Sequence, residues 1–447
     1  KIMELFFTFI SAIVAGTIVG LLPGFGMLNV MIIGLPFLMT LDVTSLLVFY
    51  TVTASITQFV GSVVATTTGV PGELSSIPAC TEGPKLFEKN QGVQAIAYAA
   101  IGSFIGTSII GVGLLYALPY ISDLATDFYG NTIQTVIFTS VILLMLVTTQ
   151  NKFIHNFIMM CFGFALALIG TNVSSAGNRY NFGIPELSDG VPLLVLSIAC
   201  FAIPQILQNF EKLDYTKIKH IPSMSLWEGI RTFPKYGMSS MRGTVIGTFA
   251  GLIPGIAFTM ASMISYYSEK LLRTKNKTYD TTGDMHSLIS AETSNNAAVL
   301  VAMVPVFLFG LPIMASEAML VSLIERTGLN VGFNILSQDQ YFVPTVLLYL
   351  LAGVFGLVIA WFAANQILKI FKLSSNVLKT VLLLVLTLSV VYAGIAQYSL
   401  GYYLVMFALL LPLGIALQKL DTSIILFAFL IFPQLEGSIR RFVLINF

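Results

Sequence analysis

Residues 291 to 318, AETSNNAAVLVAMVPVFLFGLPIMASEA, constrain the fold of this chain more than any other stretch. They are apolar over the length of a membrane span, yet they carry Glu292 and an Asn-Asn pair and are interrupted by Gly-Leu-Pro. In hydrocarbon a broken helix is tolerated only where it lines a protein-enclosed cavity, and polar side chains at that depth mark functional sites. We interpret the stretch as half of a substrate site. The alternative is a Pro-kinked helix packed against its neighbours.

Composition places this stretch inside a polytopic membrane protein. Of the 447 residues, 56% are hydrophobic and only 10% are charged, which is not typical of a soluble globular domain. Since a span needs about 20 apolar residues, the predicted fold class is all-α with about 10–12 transmembrane helices. The formal net charge of +1 gives no reason to expect a nucleic-acid partner. The three cysteines show no disulfide or metal spacing, and we expect no cleavable signal.

The chain is predicted to consist of two similar halves joined by a basic linker. In each half a hairpin is followed by a broken crossing and then by four plain spans, and residues 82–91 are predicted to form a charged loop. The expected boundaries are 1–208 for the first half (hairpin 5–40, broken crossing 42–82), 209–242 for the cytoplasmic linker, and 243–447 for the second half (hairpin 243–268, broken crossing 290–325).

Two pairs of short motifs indicate that these halves are repeats. Gly20-Leu-Leu-Pro-Gly24 matches Gly251-Leu-Ile-Pro-Gly255, and Gly69-Val-Pro71 matches Gly310-Leu-Pro312 in the same order. Each half crosses the membrane an odd number of times in this interpretation, so the second copy is inverted. Inverted repeats with broken helices around a midplane site are the architecture of many secondary transporters. The alternative is a coincidence of common transmembrane residues.

Loop charges predict the orientation, because Lys and Arg are enriched in cytoplasmic loops. The loop with Lys85 and Lys89, the loop with Lys152, and the basic connection from residue 212 to residue 242 are assigned to the cytoplasm. The loop with Arg179 is assigned to the outer side. The end of the chain with Arg440 also falls there, against the rule.

Polar residues beside the breaks are the candidate ligand groups. Broken helix ends attract anions at their amino ends and cations at their carbonyl ends. Hydroxyls and amides there can replace a ligand's water shell, or they can bond to a neighbouring helix. The predicted binding residues are Pro23, Gly24, Thr67, Thr68, Gly69, Pro71, Gly72, Glu73, Ser75, Pro254, Gly255, Ser294, Asn295, Asn296, Gly310, Pro312, Ser316 and Glu317.

Within this set, the adjacent amides of Asn295 and Asn296 give the sharpest signal, because such a pair just before an apolar helix is unusual. The carboxylates of Glu73 and Glu317 each follow a Gly-x-Pro break. Each could bind Na⁺, a proton or a cationic group, or could simply occupy a loop position. A coupling ion, Na⁺ or H⁺, is predicted, and the candidate Na⁺ position lies near Thr66, Gly310 and Asn295. No other cofactor is expected.

These motifs resemble the large membrane subunit of the tripartite tricarboxylate transporters, the TctA family. The resemblance implies a secondary transporter of the bacterial inner membrane, usually coupled to Na⁺ or H⁺. It also implies a small four-helix membrane partner and a periplasmic solute-binding protein that delivers carboxylates. The matching runs are GLLPGFG at 20–26, GS and GVPGELSS within 61–76, EGPK at 82–85, GTVIGTFAGLIPG at 243–255, ETSNNAA at 292–298 and GLP at 310–312.

The chain departs from the family pattern in both halves. Glu73-Leu74 stands where the family has Thr-Pro, and Ile313 and Glu317 stand where small residues are usual. An added carboxylate in each half opposes a polyanion, because burying like charges close together is unfavourable unless one is protonated. The expected substrate is a small organic solute, a carboxylate or a less anionic or zwitterionic compound.

Other functions are weighed against secondary transport. A channel would need a continuous hydrated pathway with rings of charge or carbonyls, and a transporter-like sensor would keep the same fold. An enzyme is not predicted, because the sequence has no HExxH, GxSxG or His/Cys/Asp cluster. If the protein works as an elevator, the hairpins and broken crossings are expected to move together against the plain spans.

Overall fold

The computed structural model describes an α-helical chain. The described residues are 2–22, 26–69, 73–127, 131–148, 152–171, 178–210, 226–255, 257–329, 331, 339–362, 375–420 and 422–446. Within them the strands β1 (Gly170–Thr171) and β2 (Asn178–Arg179) form a short antiparallel ladder in a loop. The predicted class, an all-α polytopic membrane protein, is confirmed.

Helices of the first half begin with a hairpin-like pair and continue through the first break. A 3-10 turn, Leu74–Ser76, follows the break, and a π-helical segment, Ile198–Ala202, joins the last two helices. The helices are α1 (Ile2–Gly20), α2 (Met27–Ile33), α3 (Leu35–Leu38), α4 (Val43–Thr68), α5 (Ile77–Glu88), α6 (Gly92–Asp127), α7 (Asn131–Thr148), α8 (Phe153–Ala167), α9 (Leu193–Ser197) and α10 (Ile203–Phe210).

The second half repeats this order after a short connecting helix. Its crossing is divided into three helices by a bend at Met303 and the break that begins at Gly310. The helices are α11 (Leu226–Thr232), α12 (Gly237–Ala250), α13 (Ala257–Lys275), α14 (Met285–Ala302), α15 (Val304–Phe309), α16 (Ala315–Glu325), α17 (Asp339–Phe362), α18 (Ser375–Ala396), α19 (Leu400–Ala416) and α20 (Ser423–Asn446).

The two broken crossings lie at the centre of the molecule. Among the described residues, six helical stretches are long and apolar enough to cross a membrane: Ile2–Gly20, Val43–Thr68, Gly92–Ala117, Met285–Phe309, Tyr341–Trp361 and Lys379–Ala396. The apolar window of Val43–Thr68 is 100% buried and that of Met285–Phe309 is 83% buried, against 17% for Lys379–Ala396. A helix buried on every side can carry polar side chains only if the protein itself satisfies them.

Each crossing is packed by the first helix of its own hairpin through glycines. A Cβ at Gly20 would lie 2.8 Å from Cβ of Val60, and a Cβ at Gly247 would lie 2.4 Å from the carbonyl oxygen of Ser294. Small residues at four-residue spacing allow membrane helices to approach this closely. The contact of α1 with α4 is therefore built like the contact of α12 with α14. Thr53, which contacts Gly16, and Ser294, which contacts Gly247, are also equivalent positions, because each lies 16 residues before the glycine of its own break.

The packing between the two halves is reciprocal: a helix of one half packs on the broken crossing of the other. The first plain span of the first half, α6, packs on α14, and the first plain span of the second half, α17, packs on α4. In the same way, α8 lies against α20 while α19 lies against the α9–α10 segment, and α5 contacts α14 while α16 contacts α4. Two copies of one unit are expected to pair in this way. The inversion of one copy relative to the other stays a prediction.

Buried polar contacts join α5 to the second half at one end of the molecule. The Glu82 carboxylate accepts hydrogen bonds from the Tyr266 hydroxyl at 2.6 Å, the Tyr279 hydroxyl at 3.1 Å and the Asp284 amide at 2.9 Å. Nearby, Lys89 pairs with the exposed carboxylate of Asp280. These contacts join two regions that the orientation predicted from loop charges assigns to the same side of the membrane.

A second polar cluster lies at the other predicted side. Arg179 donates to Glu436 at 2.9 Å, and Arg440 donates to the same carboxylate at 3.1 Å. The neutralising carboxylate explains why Arg440 can lie with Arg179 despite the positive-inside rule. Which end faces the cytoplasm stays a prediction.

Several predicted boundaries differ from the structure. Residues 82–88 are the end of α5 and not a loop, because the Glu82 carboxylate is satisfied inside the protein. Gly237–Ala250 is one helix, so residues 237–242 extend the second hairpin and do not belong to the linker.

Candidate functional site

Both breaks begin with a glycine in the left-handed conformation. The first long helix, α4, ends at Gly69, with φ of 69° and its N–H bonded to the Ala65 carbonyl at 2.9 Å. The second crossing is interrupted at Gly310, with φ of 65° and its N–H bonded to the Val306 carbonyl at 2.9 Å. Glycine is favoured here because a side chain makes this conformation costly. The glycines of the two Gly-x-Pro motifs therefore form matching helix ends.

The first break is fastened by the carboxylate of Glu73. Its Oε1 accepts from the backbone N–H of Met27 at 2.8 Å, and its Oε2 accepts from Nε2 of Gln58 at 2.7 Å. The Ser75 hydroxyl lies 3.4 Å from the same Oε2. The carboxylate fits only because Gly26 has no side chain, since a Cβ there would lie 2.5 Å from Oε1. Glu73 thus connects the first hairpin, the break and the middle of α4.

Gln58 connects the two halves at this point. Its Oε1 accepts from Nδ2 of Asn295 at 2.6 Å and from the Ser75 hydroxyl at 3.1 Å. Because the acceptor oxygen is fixed in this way, the amide nitrogen of Gln58 points at Glu73. The chain Asn295–Gln58–Glu73 is a continuous polar path across the α4–α14 contact, and the Gln58 and Asn295 side chains are buried.

The second break is fastened by backbone contacts and by Glu317. Oε2 of Glu317 accepts from the N–H groups of Ile313 at 2.8 Å and Met314 at 3.2 Å, at the start of α16. The tip of the second hairpin joins this loop directly, because the Gly255 N–H donates to the Ile313 carbonyl at 2.7 Å. The other oxygen of Glu317, Oε1, is buried without a hydrogen bond to a described residue.

Tyr50 on α4 contacts the second break. Its hydroxyl lies 2.9 Å from the Ser316 hydroxyl, at the start of α16. Glu73, Ser75 and Asn295 meet around Gln58, two turns further along α4. That these residues form a single site with Ser316 and Glu317 stays a prediction.

Other predicted residues point elsewhere. The Ser294 hydroxyl donates to the Ala261 carbonyl on α13 at 2.8 Å, and the Asn296 amide donates to the Ser103 hydroxyl on α6 at 2.8 Å. The hydroxyls of Thr67 and Thr68 donate to carbonyls of their own helix, at 2.6 Å and 2.8 Å. These four side chains contribute to helix packing and do not converge with Glu73 and Glu317.

The prediction that Asn295 and Asn296 precede an apolar helix is wrong. Helix α14 begins at Met285, because Asp284 caps it by accepting from the Ser287 N–H at 2.8 Å. The amide pair therefore lies within the helix, where adjacent residues project in different directions. This explains why Asn295 reaches α4 while Asn296 reaches α6.

The prolines of the four motifs are only partly described. Pro254 and Pro312 are buried beside the second break. Four predicted binding residues lie outside the described residues: Pro23, Gly24, Pro71 and Gly72.

Sequence reasoning missed Tyr50 and Gln58. The available signal was the spacing of polar residues on α4, because Gln58, Ser62 and Thr66 follow one another at steps of four residues and form a stripe that winds slowly around the helix, with Tyr50 two turns before it. In an apolar helix such a stripe predicts a polar partner, but it does not indicate which one.

Several buried oxygens near these residues lack hydrogen-bond partners within the described part of the chain. They are both carboxylate oxygens of Glu292, Oδ1 of Asn295 and Oγ1 of Thr66. The described part of the chain contains no group of three or more His, Cys, Asp or Glu side chains that could hold a transition metal. A group of unpaired oxygens suits a hard cation instead.

Fold and site together define a polytopic membrane protein with a polar centre between two interrupted helices. Residues 5–428 match the model of the family described as "Tripartite tricarboxylate transporter TctA family". The chain belongs to this family, and it is therefore a component of a tripartite transport system that includes other subunits and a periplasmic binding protein. Membership of a transporter family also agrees with the prediction that the protein is not an enzyme.

Two proteins of Agrobacterium vitis are similar to this chain. One, "Uncharacterized 52.8 kDa protein in TAR-I ttuC' 3'region", is 25% identical over 445 residues, which cover 97% of this chain and 86% of that protein. The other, "Uncharacterized protein in TAR-II ttuC' 3'region", is 24% identical over 210 residues, covering 45% and 82%. No solved structure matches.

Proposed function

We propose that the chain is the transporting subunit of a secondary active carrier that imports a small carboxylate, coupled to Na⁺ or H⁺. The observation that supports this most is the meeting of two interrupted helices at a buried polar cluster, Tyr50, Gln58, Glu73, Asn295 and Glu317. Interrupted helices of two repeats around a central site are how many secondary transporters bind solutes. Membership of the TctA family supports the transport role.

The substrate is proposed to be a carboxylate with few charges. At the first break the donors of Met27, Gln58 and Ser75 already converge on the protein's own carboxylate, Glu73. A tricarboxylate would have to enter beside Glu73 and Glu317, and like charges repel strongly at low dielectric. A mono- or dicarboxylate is less disfavoured.

Alternating access is proposed to move the two breaks as one unit. The bonds Asn295–Gln58 and Tyr50–Ser316 cross between the halves at the breaks, and Glu82–Asp284 joins the same two units at one end of the molecule. The plain spans would then be the scaffold, in the bacterial inner membrane. A disulfide between α6 and α14 should abolish uptake reversibly if α6 is scaffold. Undiminished uptake by the oxidised pair would exclude this motion.

Uptake into proteoliposomes tests the function. The chain is reconstituted with its membrane partner, the binding protein is added outside, and radiolabelled acetate, succinate and citrate are each offered under an imposed Na⁺ or H⁺ gradient. We expect saturable, gradient-driven uptake that is largest for a mono- or dicarboxylate. Non-saturating conductance would support a channel, and a bound solute without uptake would support a sensor.

A further inference from the structure

Glu292 is a buried carboxylate without compensation. Its side chain has 0% exposure, and neither Oε1 nor Oε2 forms a hydrogen bond with a described residue. Among the described residues, no ion pair includes it. An ionised carboxylate removed from water is strongly unfavourable unless it is paired or binds a cation. The fold therefore leaves a negative charge at Glu292 that something outside the chain must neutralise.

Helix register places Glu292 next to the candidate solute site. The bond between Gln58 and Asn295 fixes which faces of α4 and α14 meet. Ser62 lies one turn beyond Gln58 on α4, and Glu292 lies one turn before Asn295 on α14, so the two face each other across the same contact. The Ser62 hydroxyl lies beside the Glu292 carboxylate but does not reach hydrogen-bond geometry with it. Even a full hydrogen bond from one hydroxyl would not saturate a carboxylate, which offers about four lone-pair sites.

Among the described residues, the polar neighbours of Glu292 are oxygen atoms and a thiol, and none of them is a cation. Asn295, one turn after Glu292 on α14, has a buried Oδ1 without a hydrogen-bond partner in the same part of the chain. From α5 the titratable neighbour is the Cys80 thiol, and from α6 the Ser103 hydroxyl bonds to the Glu292 backbone carbonyl at 3.3 Å. Oxygen ligands with one negative charge match a hard monovalent cation.

We propose that Glu292, Ser62 and Asn295 form a Na⁺ site, with Glu292 as its anionic ligand. A proton on Glu292 would cancel the charge but would leave Oδ1 of Asn295 without a partner. A single Na⁺ satisfies both the charge and this oxygen. Na⁺ is also an ion to which transporters with two repeats and interrupted helices can couple.

The site also has a direct route to the solute. Oδ1 of Asn295 is available to the ion, while Nδ2 of the same amide donates to Gln58, which in turn donates to Glu73. Binding of Na⁺ orients the Asn295 amide and with it the donors at the first break. Solute and ion would then favour each other's binding, and such coupling is reciprocal. This coupling role, unlike the ion site itself, rests on the proposed transport function.

Thermal unfolding of the purified chain tests the site without requiring transport. The melting temperature is measured at about pH 8, as NaCl replaces choline chloride at constant ionic strength. We expect a saturable rise with Na⁺ that is absent in Glu292→Gln. Glu436→Gln, which changes a carboxylate in the Arg179–Arg440 cluster at the other end, is the matched control and should keep the rise.

A second variant covers the case that Glu292→Gln does not fold. Ser62→Ala removes only the hydroxyl beside Glu292, so it should fold and require about tenfold more Na⁺ for the same shift, about 1.4 kcal/mol of binding energy. An unchanged Na⁺ titration in Ser62→Ala, or a Na⁺ response retained by Glu292→Gln, would overturn the proposal. So would a wild-type protein that is stabilised by lowering the pH but not by Na⁺.

The ion site and the transport function can fail separately. A Na⁺-dependent melting temperature that requires Glu292, without uptake of any carboxylate, would leave the site and remove the transport proposal. Carboxylate uptake that is equal in Na⁺ and choline, together with no Na⁺ effect on melting, would leave transport and remove the site.

Discussion

The two breaks share one design but use their carboxylates differently. Each begins at a left-handed glycine and each is joined to the tip of its own hairpin. At the first break the joint is a side chain, since Glu73 accepts from Met27 on the hairpin. At the second break the joint is backbone to backbone, from Gly255 to Ile313, and Glu317 bonds only to the start of its own helix.

This difference separates a structural carboxylate from an available one. Both oxygens of Glu73 are engaged by donors from three different segments, so Glu73 has little capacity left for a ligand. Glu317 keeps Oε1 unengaged by described residues, near Tyr50 and Ser316. The two glutamates have the same sequence context, but Glu73 fastens its break with both oxygens, whereas Glu317 keeps one oxygen without a donor among the described residues.

The largest effect is expected from Glu73→Ala. The change leaves the Met27 N–H and the Gln58 amide without an acceptor, and each buried donor left unpaired costs about 1–3 kcal/mol. We expect a loss of about 2–6 kcal/mol in unfolding free energy by summing these two penalties. Glu73→Gln keeps one acceptor oxygen and should lose less than half as much. Equal stability of wild type and Glu73→Ala in denaturant titrations would show that Glu73 does not fasten the break.

Alanine at the paired glycines should have the next largest effect. The left-handed conformation costs a residue with a Cβ about 1–2 kcal/mol, so both Gly69→Ala and Gly310→Ala should lower the unfolding free energy by that amount. Gly69→Ala should be the worse, because its Cβ would lie 3.1 Å from Pro84. Gly61→Ala is the control, since Gly61 is helical and its nearest neighbouring atom would be 3.8 Å away.

If the two breaks are equivalent, both alanine variants should also impair uptake beyond their loss of stability. Uptake per folded molecule is therefore measured alongside thermal unfolding. A Gly310→Ala variant that melts and transports like Gly61→Ala would show that the second break does not depend on the left-handed turn.

Local signals explain how much of this could be predicted from the sequence. Gly and Pro in apolar runs mark the breaks at Gly69 and Gly310 directly, because few other residues tolerate those conformations. The carboxylates of Glu73 and Glu317 stand out for the same reason: charge is rare in such runs. Fold class, break positions and most of the site follow from these properties of single segments.

The partners could not be predicted, because they depend on contacts between distant segments. Gln58 meets Asn295 and Tyr50 meets Ser316 only after the halves have packed. Nothing local indicates that Asn295 faces α4 while Asn296 faces α6, since that depends on where α14 begins. The helix start was itself missed, because the Asp284 cap lies within a polar loop that hydropathy does not resolve.

Glu317→Gln tests the recognition half of the comparison. The amide can still accept from Ile313 and Met314, so stability should change by less than about 1 kcal/mol. Removing a negative charge close to a bound carboxylate should tighten binding of a dicarboxylate by about tenfold, about 1.4 kcal/mol. Isothermal titration with succinate measures this, with Glu73→Gln as the control of equal chemistry. Weaker binding of succinate in Glu317→Gln would mean that this carboxylate contacts a cationic or hydrogen-bond-donating group of the ligand.

The smallest effect is expected at the ion pair between Lys89 and Asp280, which joins the two halves at a solvent-exposed position. The hydrogen bond from Lys89 lowers the pKa of Asp280 to about 2. A carboxylate with a lowered folded-state pKa stabilises the protein above its unfolded value of about 3.9 and loses that contribution as the pH falls through the folded value. The contribution of the pair to the free energy of unfolding should therefore be constant from about pH 5 to about pH 9. Asp280→Asn should lower the free energy of unfolding by no more than about 1 kcal/mol, and by less in high salt. Thermal unfolding of both proteins across this range measures it, and a cost that grows between about pH 5 and 7 would place the titrating group elsewhere.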